Sequence, residues 1–418
     1  MRYIFHIDVD SAFLSWTAVE RLELAKNTPA SIQTPLDTLD IRTIPSAIGG
    51  DVEKRHGIIL AKSTSAKKYG IVTGEPIVKA LKKCPNLYLF PPDHALYARQ
   101  SEKLMQLLSN YSPVLEKYSI DESFLDMTGI VHTKDEAVAL AKEIKDTVEQ
   151  ELKFTVSIGI SSNKLLAKMG SDLQKPNHVT TLFKEEIQKK MWPLPCNHLF
   201  FVGKATESKL KALRIRTIGD IAKTDRNLLI SELKSHGEKI WYYANGMDDS
   251  PVTPNEGPNK GYGNSITLPK DAQTSAECKK VILSLTENVA ARLRRNQVKA
   301  GSVSVTLRYN IHDNHSHQAV LENPTNTTEE LYLAYCNIFD RFWNGSPVRL
   351  IGISAGKIIS ASAATRQLSF FEDHTKLEKW EKLDQTIDEI RSKFGNDAVQ
   401  RATFLGGDLE HMTGKNKN

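Results

Sequence analysis

Tyr118-Ser-Ile-Asp-Glu-Ser-Phe-Leu-Asp-Met127 sets two adjacent acids inside an otherwise apolar, strand-like run. Burying a carboxylate is costly unless a cation or hydrogen-bond donors compensate it. Neighbouring residues on a flat strand point to opposite faces, so Asp121 and Glu122 converge only at a hairpin bend or a bulge. A third acid of this kind, Asp8, ends the run Tyr3-Ile-Phe-His-Ile-Asp-Val9, which is rich in β-formers and reads as a buried strand. Three carboxylates at strand ends can hold one or two hard cations, and Mg²⁺ is typically held by a few carboxylates plus substrate phosphates. Two such ions about 4 Å apart clamp an in-line phosphoryl displacement. The plainer alternative is that each acid meets an arginine or faces water, although such clusters are enriched at functional sites.

Outward from these strands, the periodicity predicts a helix from about Ser11 to Leu24 and a loop from Asn27 to Thr43 containing Pro29 and Pro35. Short strands flank Gly49-Gly50 (Ala47-Ile48 and Gly57 to Ala61), and a basic helix runs from near Ser63 to Gly70. Leu96, Leu104, Leu107 and Leu108 fit one helix. Thr133-Lys-Asp-Glu136 is a capping-box start for another, which reaches Leu152 with an apolar face of Ala137, Leu140, Ala141, Ile144 and Val148. A strand (Phe154 to Ile160) and a helix (Ser162 to Leu173) follow. Strands separated by helices imply an α/β sheet with helices packed on it. After about Lys184 the texture changes to short helices, and Pro251 to Gly263, rich in proline and glycine, reads as a linker. A βαββαβ-like unit comes next: Gly263 to Leu268, a helix Ala276 to Arg295, strands Ser302 to Tyr309 and Gln318 to Leu321, a helix Thr328 to Trp343, and a strand Val348 to Ile353. The tail ends in an amphipathic helix with Leu377, Trp380, Leu383, Ile387, Ile390 and Phe394 near one face, stopped by Gly395.

The chain has 418 residues, the length of roughly two to four domains. Its 40% hydrophobic and 25% charged content is that of soluble globular protein, not of a disordered or collagen-like chain. No run approaches the ~18 to 20 apolar residues of a membrane span. Asp8 and Asp10 interrupt the apolar start before a signal-peptide core can form. A cytoplasmic protein, neither secreted nor inserted in a membrane, is therefore expected. Cys84, Cys196, Cys278 and Cys336 lie far apart without zinc spacing, as reduced thiols do. His312, His315 and His317, among Asp313, Asn314 and Ser316, read as a polar turn between two strands rather than a metal site. From Lys204 to Arg308 there are 18 lysines and arginines against 11 acids, a surplus of seven where the whole chain carries only +5. Such a stretch suits a polyanion such as nucleic acid, and it equally suits a solvated charged face.

Four motifs stand in register: Phe5-His-Ile-Asp-Val-Asp-Ser-Ala-Phe13, Ser119-Ile-Asp-Glu-Ser-Phe-Leu-Asp126, Ser157-Ile-Gly-Ile-Ser-Ser-Asn-Lys-Leu-Leu-Ala-Lys168 and Asp172-Leu-Gln-Lys-Pro-Asn177. Together they resemble the Y-family (translesion) DNA polymerases of the bacterial DNA polymerase IV and UmuC type, from the first residues to about Gly356. The resemblance implies an α/β multidomain right hand: palm (1–12 and 79–183), fingers (13–78), a helical thumb with a helix-hairpin-helix (184–250), a linker (251–263), a βαββαβ-like little finger (264–358) and a tail (359–418). It implies a low-fidelity, template-directed DNA polymerase using two Mg²⁺ ions and dNTPs on primer–template DNA, without a proofreading exonuclease and as a monomer.

Carried over residue by residue, Asp8, Asp121 and Glu122 match the family's catalytic metal triad, with the Val9 carbonyl as a further ligand. Phe13 matches the steric gate that leaves no room for a 2′-hydroxyl; on its own it reads as a core residue. Lys175 and Lys67 match triphosphate contacts. Lys67 stands where Arg is usual, which turns a bidentate grip into a point charge, and a solvated surface role stays open for it. Thr64 stands where a phosphate-binding Tyr is usual and keeps only the hydroxyl. The segment Glu23 to Thr43 is longer than the usual family linker there.

Phe201-Val-Gly-Lys-Ala-Thr206 and the following helix look like a helix-hairpin-helix in which Gly203, Lys204 and Thr206 would meet a backbone phosphate. Phe201 occupies the place of the usual first glycine. Arg292, Arg294, Arg295, Lys299 and Arg308 are expected to track phosphates. Gln367-Leu368-Ser369-Phe370-Phe371 resembles the bacterial sliding-clamp-binding pentapeptide, and the clamp is the partner it implies; alternatively both phenylalanines pack on the terminal helix. Two rival readings remain: a catalytically idle DNA-binding accessory of the same fold, and a helix-hairpin-helix repair glycosylase.

Overall fold

Period-two alternation in the first strand settles how the first layers stack. The computed structural model describes residues 1–50, 57–254, 257–310, 313–365 and 374–404. These form two compact units, Met1–Gly50 with Ile58–Glu256, and a second within Gly257–Asn418. In the first unit the chain runs β1 (Ile4–Val9), α1 (Ala12–Asn27), β2 (Ser46–Gly49), β3 (Ile59–Lys62), α2 (Thr64–Lys67), α3 (Ile77–Lys83), β4 (Tyr88–Phe90) and α4 (His94–Leu108). It continues with β5 (Leu115–Lys117), β6 (Glu122–Asp126), α5 (Lys134–Leu152), β7 (Val156–Ser161), α6 (Lys164–Leu173), β8 (Val179–Thr181) and α7 (Ile187–Lys190). Four helices close it: α8 (Lys204–Ala212), α9 (Ile218–Lys223), α10 (Arg226–Leu233) and α11 (Ser235–Ala244).

The main sheet has the order β5-β6-β1-β7-β8. Central β1 is antiparallel to both neighbours. Its odd residues, Phe5, Ile7 and Val9, join the apolar core built with Leu104, Leu108, Ala141, Ile144 and Val148 of α4 and α5. Its even residues face α6: Ile4 packs with Ala167, and His6 Nδ1 meets Ser171 Oγ at 2.8 Å. Asp8 is the next residue on that face. α6 lies flush on the sheet because Gly159 of β7 has no side chain. A Cβ there would overlap the Ala167 carbonyl oxygen and the Ser171 amide nitrogen of α6. A smaller sheet, β3-β2-β4, packs its Ala47 and Ile59 on Ala66, Ile77 and Ala80 of α2 and α3. α7 to α11 share a separate core that includes Leu210, Ile218, Ile221, Leu229 and Ile240.

Thr133 caps α5 by accepting the Glu136 amide at 3.1 Å, while the Glu136 carboxylate accepts from His132 N–H at 2.8 Å instead of closing the box on Thr133. The segment read as a linker from residue 251 starts later. Val252 is buried with Ile4, Phe124 and Ala167, and Thr253 N–H donates to Glu116 Oε2 at 2.8 Å. Glu116 is in turn held by Lys164 at 2.7 Å.

The second unit contains β9 (Gly261–Ala272), α12 (Ser275–Arg295), β10 (Val298–Arg308), β11 (Asn314–Thr325), α13 (Thr328–Phe342), β12 (Val348–Ser360) and α14 (His374–Phe394). Its antiparallel sheet has the order β11-β10-β12-β9, with α12 and α13 covering one face. The βαββαβ order holds, but the strands outrun their apolar stretches at both ends, because ladder hydrogen bonds continue where side chains face solvent. β9 begins inside the stretch read as linker, and β12 extends to Ser360. His315 and His317 are therefore strand residues opposite Leu307 and Val305, not turn residues; His317 stacks on Phe342 at 4.3 Å, and His312 lies outside the described residues.

α14 is the expected terminal helix. None of its six apolar positions is buried, and Phe394 is 75% exposed. The helix docks through charge. Asp384, buried, and Asp388 hold Arg294 at 3.0 and 2.6 Å, and Arg391 and Arg401 hold the buried Glu287 at 2.9 and 2.7 Å. The four cysteines are buried and free. Among the described residues no helix is long and apolar enough to cross a membrane.

Candidate active site

Asp8 and Glu122 are cross-strand partners on β1 and β6. β6 starts at Glu122 because the chain turns immediately before it: the amides of Tyr118 and Ser119 both donate to the Glu122 carbonyl, at 3.0 and 3.1 Å. Ser119 Oγ pins this turn, donating to Asp121 Oδ1 at 2.7 Å and accepting from the Glu122 amide at 3.1 Å. Asp121 thus sits on the bend and Glu122 on the first strand position. The Val9 amide donates to the Asp121 carbonyl at 3.1 Å, tying that bend to the end of β1.

Each of the two facing carboxylates carries a lysine. Lys175 Nζ lies 2.8 Å from Asp8 Oδ2 and 2.8 Å from Asp172 Oδ1. Lys168 Nζ meets both Glu122 oxygens at 2.7 Å. His6, fully buried behind them, has Nε2 3.8 Å from Glu122 Oε2, beyond hydrogen-bond reach. The electrostatics of the two acids diverge. Burial pushes Asp8 up to about 7 even with Lys175 beside it. Burial pushes Glu122 upward too, but the His6 imidazole and the Lys168 ammonium outweigh it and hold this acid at about 2. Lys175 loses some basicity to burial, and the carboxylates of Asp8 and Asp172 more than restore it, keeping the ammonium protonated above the usual lysine range.

Asp10, which the sequence reading left without a role, fixes the loop that delivers Lys175. Its carboxylate accepts from Thr155 Oγ1 at 2.9 Å, Ser157 Oγ at 2.8 Å and the Asn177 amide at 2.8 Å. Lys168 was missed in the same way. Its spacing from Lys164, one helical turn, was the available signal that both lysines share the face of α6 turned to the acids.

Among the described residues, no group of three or more His, Cys, Asp or Glu side chains is drawn close enough to hold an ion. The donors present nonetheless fit a hard divalent cation in kind. All are oxygens, and burial drives Asp8 toward neutrality beside a lysine, so more positive charge is favourable there.

The Phe13 ring, half-buried on α1, stacks on Tyr97 with centroids 4.3 Å apart and planes 3° apart. Thr64 and Lys67 open and close the short α2, both exposed, on a helix capped by Ser63 through the Ala66 amide. Phe201 has φ +73°, the left-handed conformation that glycine adopts at no cost, and Gly203 caps α8. The Phe201 ring lies 4.1 Å below Lys239 Nζ. Lys204 is the first residue of α8, and Thr206 Oγ1 meets His236 Nε2 at 3.3 Å.

In the second unit, Arg292 donates to the Gly263 carbonyl at 3.0 Å and Arg308 to Asn314 Oδ1 at 2.6 Å. Arg292, Arg295 and Lys299 line a cavity of about 930 Å³ beside α14. Arg294 departs from its expected role. Asp384, Asp388, Thr328 Oγ1 and the Asn326 carbonyl take up its guanidinium, and the side chain is 14% exposed, so it holds α14 rather than a phosphate. Gln367 to Phe371 lie outside the described residues.

The impB/mucB/samB family pattern fits residues 7–172, and that family's C-terminal domain fits residues 259–370. The chain is 44% identical over 404 residues to DNA polymerase IV of Clostridium acetobutylicum, covering 97% of this chain and 98% of that one. DNA polymerase IV of Acetivibrio thermocellus is 36% identical over 369 residues, covering 88% and 92%. Among solved structures, the Y-family DNA polymerase chimera Dbh-Dpo4(243-245)-Dbh superposes with a TM-score of 0.70 at 22% identity, covering 86% of this chain and 99% of that chain, a likeness of fold. With these matches along nearly its whole length, the chain belongs to the impB/mucB/samB family and has the Y-family DNA polymerase fold.

Proposed function

We propose that this chain is a template-directed DNA polymerase that adds dNTPs to a primer 3′ end and performs low-fidelity translesion synthesis. The observation that carries the reading is the facing pair Asp8 and Glu122, each with a lysine at hydrogen-bond distance, on adjacent strands of one sheet. Asp8, Asp121, Glu122 and the Val9 carbonyl would hold two Mg²⁺ ions. Bound there, the ions would supply Lewis-acid chemistry, lowering the pKa of the primer 3′-hydroxyl and neutralising charge on the leaving pyrophosphate. Lys175, shared between two carboxylates and 30% exposed, would exchange them for a triphosphate, with Lys67 and the Thr64 hydroxyl as weaker contacts from α2. Phe13, fixed by its stack on Tyr97, would exclude a 2′-hydroxyl.

The palm, fingers, thumb, linker and little-finger boundaries expected above are part of this proposal, with the linker starting after Thr253 and not at Pro251. Gly203, Lys204 and Thr206 would hold a backbone phosphate at the thumb. Arg292, Arg295, Lys299 and Arg308 would add sequence-independent, salt-sensitive contacts. The 367–371 segment would tether a monomeric enzyme to the sliding clamp at the nucleoid.

Primer extension on a primed template with Mg²⁺ and all four dNTPs tests the reading, with Asp121→Asn/Glu122→Gln as the paired control. Extension by the wild type alone supports it. If neither protein extends while both bind primer–template, the chain is a DNA-binding accessory. Nicking of damaged duplex by the wild type would instead indicate a glycosylase.

A further inference from the structure

We propose that Lys168 is a positioning residue: a built-in counter-ion on Glu122 that sets how tightly the acidic cluster takes up a divalent cation. The identity of the cluster rests on the polymerase reading; the test below does not depend on it.

The two lysines at the cluster are not equivalent. Lys175 divides its charge between Asp8 and Asp172, lies 30% exposed and sits on a loop. Lys168 sits in the middle of α6, is 12% exposed, and gives its ammonium to both oxygens of Glu122. It is also seated. Its Nζ lies 5.5 Å from the Tyr118 ring centroid and 5.4 Å from that of Phe200, so leaving Glu122 means leaving two ring faces that favour a cation. Behind Glu122, His6 bonds Ser171 through Nδ1, and its Nε2 stands 3.8 Å from Glu122 Oε2, farther than the Lys168 ammonium. The flush seating of α6 over Gly159 fixes the helix from which Lys168 reaches in.

A divalent ion entering between Asp8 and Glu122 must therefore share a carboxylate with a fixed positive charge a few ångströms away. Like charges at that separation repel appreciably even with substantial screening. Removing the ammonium should strengthen cation uptake roughly three- to tenfold, and moving it to an arginine should not. A residue that merely supported the fold would do the reverse, since its loss would leave Glu122 disordered and the ion more weakly held.

The experiment is Mn²⁺ binding to the full chain without DNA or nucleotide, followed by the loss of the free-ion electron paramagnetic resonance signal. Wild type, Lys168→Gln and Lys168→Arg are compared, with melting curves to establish that each is folded. The proposal expects Lys168→Gln to bind Mn²⁺ three- to tenfold more tightly and Lys168→Arg to match the wild type. Equal or weaker binding by a folded Lys168→Gln protein overturns it. If that variant does not fold, Phe200→Leu decides. It keeps the charge and removes one ring seat, and it should tighten Mn²⁺ about twofold; unchanged binding overturns the proposal. Primer extension by the wild type judges the polymerase reading separately, so the two can fail independently.

Discussion

Phe13 cannot tilt aside without breaking its stack on Tyr97, and this rigidity is what a steric filter needs. Phe13→Val should let ribonucleotides in, lowering the dNTP-over-rNTP ratio of kcat/KM about a hundredfold. An unchanged ratio would return Phe13 to a packing role. Glu75 offers a residue-scale test of stability. Its carboxylate holds Lys83 Nζ at 2.7 and 3.0 Å and accepts the Val72 amide at 2.7 Å; the Lys83 contact and that amide hold it below its ordinary value of 4.5. A depressed carboxylate contributes stability above its unfolded value and loses it as pH falls through the folded one. The melting deficit of Glu75→Gln should thus be full near pH 6 and shrink steadily below pH 4.5; a deficit that grows on acidification would show the pair is not the cause. At this scale Asp8, Asp121 and Glu122 stood out because charge inside an apolar run is anomalous, and the structure sets Asp8 opposite Glu122. Asp10 and Lys168 did not, since an acid just past a strand and a lysine on a helix read as solvated until their partners are known. Arg294 misled for the same reason: its acid Asp384 lies 90 residues further along.

At the scale of elements, the seating of α6 turns on Gly159. Because α6 rests on its bare backbone, Gly159→Ala must lift the helix or bend β7. A loss of about 2–4 kcal/mol is expected from chemical denaturation, together with weakened Mg²⁺-dependent activity, because Lys168 and Lys175 both hang from that helix and its exit. A variant as stable as the wild type would mean the contact relaxes freely. α14 should respond differently. Asp384→Ala leaves Arg294 without its buried partner and frees the Thr328 amide that donates to Asp384 at 2.8 Å. Amides of 374–394 should then lose hydrogen-exchange protection while those of β10 and β12 keep theirs, at a cost of roughly 3 kcal/mol for breaking such a pair. Equal protection in both proteins would show that apolar contacts hold the helix. Periodicity located the long helices and the central strands, but it passed over α3, β4, β5 and β8 and missed the true ends of β9, β11 and β12. Those ends are set by hydrogen bonds to neighbouring strands, which no local pattern reports.

For the molecule as a whole, the join between the two units is shorter than its proline and glycine content suggests. Glu116→Ala removes the acceptor of the Thr253 amide, and that amide should exchange with solvent markedly faster, while the Leu165 amide, held by Asp248 at 3.1 Å, should not. No change at Thr253 would put its anchorage in the burial of Val252 alone. The anchorage also sets a leash. From Thr253 to Gly261 the covalent chain spans at most on the order of 28 Å when fully drawn out, whatever its course. A tether this short keeps each unit in the other's neighbourhood at an effective concentration in the millimolar range. On the proposed reading, in which each unit holds DNA, a template that slips from one would be recaptured from a local pool rather than from bulk solution, and two individually feeble grips would add up to a long residence.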